Sequence, residues 1–152
     1  MKALYSTYFF IILAVVAGMM MPTQAGINSK LADYAGSPIL AAFVSFVVGT
    51  VALFIYLIAT GESLSDLASL KNASLISWTG GLLGAFFVAS TVILVPRIGV
   101  ALTFSLVVAG QMLITLLLDH YGFLGVPVRE VNIQRVIGVS LVILGVILVR
   151  KF

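Results

Sequence analysis

Cysteine is absent from this chain and histidine occurs once, at His120. Their scarcity excludes a disulfide framework, a zinc cluster and thiol chemistry, so no metal-ligand set is expected. Charge is scarce as well. Asp, Glu, Lys and Arg make up 9% of the residues, against roughly 25% in a soluble domain, which excludes a soluble fold. The formal net charge is +3, yet the Lys and Arg stand singly at the ends of apolar stretches. There they act as membrane anchors and do not form a nucleic-acid surface. No nucleotide-binding loop is present, and no cofactor is expected.

What is there is 62% hydrophobic and falls into the runs Tyr8 to Ile27, Pro38 to Ala59, Leu75 to Val95, Ile98 to Leu118 and Val131 to Val149. Each has about the 20 residues that carry a helix through a hydrocarbon core about 30 Å thick. The fold class is therefore all-α membrane protein, one transmembrane domain over residues 1–152 with five helices over about 4–29, 38–60, 74–95, 98–119 and 131–150. Lys2, the apolar run Phe9 to Val16 and Thr23-Gln24-Ala25 together resemble a secretory signal with its cleavage site. Pro22 and the segment Gly26 to Ser29 read better as a polar-lined helix, and the first stretch is expected to be retained. The last span is short between Val136 and Val149 and borrows Val131 to Arg135, with the Arg135 guanidinium snorkelling to the headgroups.

Connections are brief. Within Gly61 to Ala73 the spacing of Leu64, Leu67, Ala68 and Lys71 predicts a short interfacial helix over about 63–71, with Ser63 and Asp66 as an approximate capping box. Gly122, Gly125 and Pro127 predict a compact turn between Asp119 and Asn132. Small residues mark helix contacts in lipid: Ala41, Ser45 and Gly49; Gly80 with Gly84 and Gly81 with Ala85; Ala101, Ser105 and Ala109.

Five crossings put the termini on opposite sides of the membrane. Of the 8 basic residues, Lys2, Lys71, Arg129 and Arg135 then share the N-terminal side, and Lys30, Arg97, Arg150 and Lys151 the other. The positive-inside bias that fixes orientation is missing. Either the orientation is single and weakly biased, or the chain inserts both ways up and pairs antiparallel with itself, an inverted repeat made from two copies of one polypeptide.

Pro22 cannot donate a backbone hydrogen bond, and its ring collides with the Gly18 carbonyl, so Gly18 and Pro22 form a candidate hinge. Gln24 and Asn28 follow on one helical face as an amide-lined strip, a candidate substrate contact at a broken helix. The other reading of Pro22 to Ser29 is the fraying end of the helix. Gln111 lies inside the fourth helix as ligand contact or as interhelical glue. Ser90 and Thr91 can satisfy their own backbone carbonyls. Arg97, Asp119 and His120 close helix ends; in an antiparallel pair Asp119 meets Arg97 of the other subunit as a gate or coupling pair, and otherwise they are solvated termini. No carboxylate falls mid-membrane. A cationic solute thus lacks a buried counter-charge, and the cargo reads as neutral, zwitterionic or anionic.

The stretch Gly18 to Asn28, GMMMPTQAGIN, resembles the first helix of the YdcZ-like branch of the drug/metabolite transporter superfamily. Gly36-Ser37-Pro38, Ala41-Ala42, Ser45-Phe46, Gly80-Gly81, Gly84-Ala85, Pro96-Arg97-Ile98-Gly99, Gly110-Gln111-Met112, Asp119-His120-Tyr121-Gly122 and Arg135 with Gly138 extend the resemblance over nearly the whole chain. It implies a bacterial inner-membrane protein that is half of a ten-helix inverted-repeat architecture enclosing a central cavity, with a paired homologous subunit as the alternative partner. The expected function is a secondary transporter or exporter of a small metabolite or drug-like molecule, an antiparallel, dual-topology homodimer in membrane lipid working by alternating access. The rival reading is a non-transporting accessory or scaffold subunit. An enzyme is not expected, because Asp119 and His120 diverge by about 100° on a helix.

Overall fold

The computed structural model describes the backbone of residues 2–151 and the side chains of residues 7–151. The side chain of Lys2, counted among the cations above, lies outside the described residues. Five long helices carry the chain: α1 (Lys2–Ala35), α2 (Pro38–Thr60), α3 (Leu75–Ile98), α4 (Val100–Tyr121) and α5 (Ile133–Lys151). All five are long and apolar enough to cross a membrane. Short 3-10 turns occupy Leu64–Asn72 and Phe123–Gly125. The chain divides into two compact units, Met1–Arg97 and Ile98–Phe152.

In the first unit α1 runs unbroken through Pro22 to Ala35, which overturns the reading of Pro22 to Ser29 as a fraying end. Lys30 and Asp33 are ordinary helix formers, so the helix outlasts the apolar run that revealed it. Beside the proline, the Thr23 hydroxyl donates to the Met19 carbonyl at 2.9 Å. The extended Ser37 caps α2, its hydroxyl accepting from the Leu40 N–H at 3.3 Å, and Pro38 follows where a missing N–H costs nothing. α2 ends at Gly61, whose φ of 72° suits glycine. The Gly61 and Glu62 N–H groups return to the Ile58 and Leu57 carbonyls, a Schellman closure.

The predicted helix over 63–71 is a 3-10 turn, and the Ser63–Asp66 capping box does not form. The Ser63 hydroxyl meets that of Ser65 at 2.6 Å, while the Asp66 N–H goes to the Ser63 carbonyl. α3 continues through Pro96, and Arg97 donates from Nη1 to the Ile93 carbonyl at 3.2 Å, satisfying a last-turn acceptor. Thr91 donates to the Val88 carbonyl at 2.9 Å. Ala41, Ala42, Val88 and Val92 form the buried core of this unit, with Leu31 and Ala32 packed on it. Of the glycines expected at helix contacts, Gly84 shows close approach, with the Phe46 ring 3.6 Å from where its Cβ would stand, while nothing lies within 4 Å of a Cβ built on Gly49, Gly80 or Gly81.

The second unit is the α4–α5 hairpin. Gly99, with φ 79°, precedes α4, and its carbonyl accepts from the Thr103 hydroxyl at 2.6 Å. Gly122 closes α4 at φ 64°, where a side chain would strain the backbone and push on Val128, whose Cγ2 would lie 2.7 Å from the added Cβ. The segment to Asn132 folds back, the Arg129 N–H reaching the Asp119 carbonyl at 2.8 Å.

Candidate functional site

Four-residue spacing puts Gln24 and Asn28 on one face of α1. That face meets α2 across a cavity of about 400 Å³. Met20, Thr23, Gln24, Ile27, Asn28 and Leu31 line it from α1, and Val44, Ser45 and Val48 from α2. Asn28 is 4% exposed, and its Nδ2 has no hydrogen-bond partner, the one buried side-chain nitrogen or oxygen so left among the described residues. A buried amide without a partner costs the desolvation of that group, so the site is built around an unmet need.

Gln24 is exposed and borders a second hollow of about 200 Å³ with Ser45, Phe46, Gly49, Thr50 and Leu53. Thr23 and Thr50 donate to the Met19 and Phe46 carbonyls. The amides of Gln24 and Asn28 are thereby the side-chain groups best placed to meet a solute. Neither hollow is lined by a charged side chain. Gly18 is exposed, and no neighbour comes within 4 Å of a Cβ built there. Pro22 is half-buried within the continuous helix.

Gln111, Asp119 and His120 belong to the second unit. Gln111 is exposed on α4. Asp119 Oδ2 accepts from Arg135 Nη2 at 2.9 Å, an ion pair with side chains 29% (Arg135) and 34% (Asp119) exposed. Arg135, expected to snorkel to headgroups, turns to this carboxylate and also donates from Nη1 to the Arg129 carbonyl at 3.1 Å. The antiparallel hairpin sets the start of α5 beside the end of α4, and a carboxylate in reach of the guanidinium fork makes a stronger bond than solvent does. Asn132 caps α5, its Oδ1 accepting from the Arg135 N–H at 2.9 Å. His120 accepts from the Val131 N–H at 3.3 Å through Nδ1. Asp119 and His120 therefore tie down the connection after α4, and Arg97 holds the end of α3.

A small cavity of about 230 Å³ opens beside the pair, lined by Met112, Thr115, Leu116, Asp119, Arg135, Gly138 and Val139. A roomier groove of about 460 Å³ between α4 and α5, lined by Ala101, Phe104, Ser105, Val108, Val142, Gly145, Val146 and Val149, touches none of the expected site residues. Its single polar side chain gives a solute little to orient on, and the smaller hollow with the buried amide is the better site. Ser45 and Asn132 went unassigned in the sequence. Ser45 was legible as one of a run of small residues, and Asn132 as an N-cap, an Asn just ahead of an apolar run.

Five apolar helices, with the amides of Gln24 and Asn28 on α1 beside hollows, define the class, a multi-pass membrane protein. Residues 9–148 match the family described as "Putative inner membrane exporter, YdcZ", and the chain belongs to that family. It is similar to "Inner membrane protein YdcZ" of Escherichia coli (strain K12), 27% identical over 139 residues that cover 90% of this chain and 91% of that protein. No solved structure matches it.

Proposed function

We propose that the chain is a secondary transporter that exports a small metabolite or drug-like molecule as an antiparallel homodimer. The observation that carries this reading is the buried, unpartnered Nδ2 of Asn28 in the cavity beside Gln24. A side chain that loses water without gaining a partner is costly to keep, and a passing solute supplies the missing bond. The even division of the basic residues supports insertion in both orientations. Two inverted copies would enclose the cargo between equivalent halves, and exchange of their conformations would give alternating access without ATP. Gln24 and Asn28 hold the cargo, Gly18 with Pro22 lets α1 bend, and Gln111 on α4 offers an amide of the second unit's own. Arg97, at the end of α3, and Asp119 with His120, at the end of α4, are each read as gate or coupling groups.

Reporter tags on both termini test the architecture: comparable exposure of the C-terminus on the two membrane faces is expected, and one fixed orientation would overturn it. In proteoliposomes, Gln24→Leu is expected to abolish flux of any compound the wild type moves while leaving the dimer intact. Normal flux would remove Gln24 from the site.

A further inference from the structure

We infer that the cavity beside Gln24 and Asn28 selects uncharged solutes carrying a carboxamide or hydroxyl head on an apolar body. The inference rests on the reading of this cavity as the cargo site and adds the chemistry of the cargo. Three features of the wall carry it. First, Asn28 is 4% exposed and its Nδ2 has no hydrogen-bond partner. An N–H left without an acceptor calls for a head group that brings one, such as a carboxamide carbonyl or a hydroxyl oxygen.

Second, no Asp, Glu, Lys, Arg or His lines this cavity or its neighbour across Gln24. An ion entering would exchange its hydration for two neutral amides and apolar carbon, a poor trade without a counter-charge. A second copy of the chain doubles these amides and adds no charge from this wall. Third, Met20, Ile27, Val44 and Val48 supply an apolar surface in a space of about 400 Å³. That surface gains by covering carbon and does nothing for a fully polar solute.

The absence of cysteine allows a unique reporter. Ser45 borders both hollows, and in Ser45→Cys proteoliposomes the rate of alkylation by N-ethylmaleimide reads whether the cavity is filled. Indole-3-acetamide, indole-3-acetate and tryptamine share one ring system and are neutral, anionic and cationic at neutral pH. The amide is expected to slow alkylation by about threefold or more, and the two ions at the same concentration to leave it unchanged. Asn28→Asp in the same background keeps the shape of the side chain and adds a negative charge, so protection should pass from the amide to tryptamine.

Equal or stronger protection by either ion in the parent, or protection by none of the three, overturns the assignment of cargo class while leaving a water-accessible cavity in place. A Ser45→Cys protein that is folded yet inert to the reagent means that the wall is closed to water, and then the transport reading itself falls.

Discussion

In the unit Met1–Arg97 a buried amide nitrogen is left unpaired beside a cavity, whereas in Ile98–Phe152 the Asp119 carboxylate and the His120 imidazole at the end of α4 are tied to α5 and to the loop before it. The first unit is held by close packing of Ala41, Ala42, Val88 and Val92. A clasp of Asp119, Arg129, Asn132 and Arg135 holds the connection of the second. Packing and polar bonding fail under different insults, so the two units can be perturbed separately. The difference also divides labour: bonds already made stabilise, and a bond left open is free for a ligand.

The sharpest way to break the first unit alone is to overfill its core. Ala41 is 0% exposed, and Ala41→Leu is expected to cost about 1–3 kcal/mol. Amide exchange should quicken in α1 and α2 and stay unchanged in α5. Equal quickening in both units would erase the distinction drawn between them.

The matching cut in the second unit is Asp119→Asn. Because the Asp119 side chain is about a third exposed, solvent screening limits the loss; about 1 kcal/mol is expected. Exchange at Arg129 and Val131 should rise, because the ion pair with Arg135 steadies the loop whose N–H groups reach the Asp119 main-chain carbonyl and the His120 ring. Unaltered exchange there would mean that the clasp does not organise the loop.

Asn28→Leu tests the division of labour directly. Removing a buried group that has no partner should raise the resistance of the protein to unfolding by up to about 1 kcal/mol, while solute protection of the cavity is lost. A variant that is both less stable and still protected would place the amide in the packing of the helices and not in the site. The smallest contrast lies between two serines ahead of helical segments. Ser37→Ala removes a cap that is made and should cost about 1 kcal/mol, and Ser63→Ala, where no cap bond exists, should stay within about 0.5 kcal/mol.

The five spans were legible because hydrocarbon demands long apolar runs and charged residues collect at their ends. That signal marks the part of a helix that meets lipid and not the helix itself. It stopped α1 near Ser29, although Ser29 to Ala35 contains nothing that breaks a helix. The same signal ended α3 near Val95, yet the helix runs through Pro96 to Ile98, and the Arg97 guanidinium satisfies the Ile93 carbonyl in its last turn. The amide strip of Gln24 and Asn28 could be read from spacing. That the Asn28 Nδ2 is buried without a partner could not, because it depends on how α2, whose Val44, Ser45 and Val48 line the same hollow, packs beside α1. The pairing of Asp119 with Arg135 was hidden for the same reason, since the two meet only once the hairpin has turned.

The unequal lengths of α1 and α5 bear on which membranes suit this protein. At about 1.5 Å per residue, the 34 residues of α1 reach about 51 Å, and the 19 residues of α5 reach about 28 Å. When lipid tails lengthen, α1 has slack to straighten or slide, but α5 has none, and its ends, Ile133 and Lys151, would be dragged inward. The shortest rod thus acts as the gauge: lipids must thin to meet it or the hairpin must strain, and chain length in the surrounding lipid becomes a lever on the second unit before it is felt by the first.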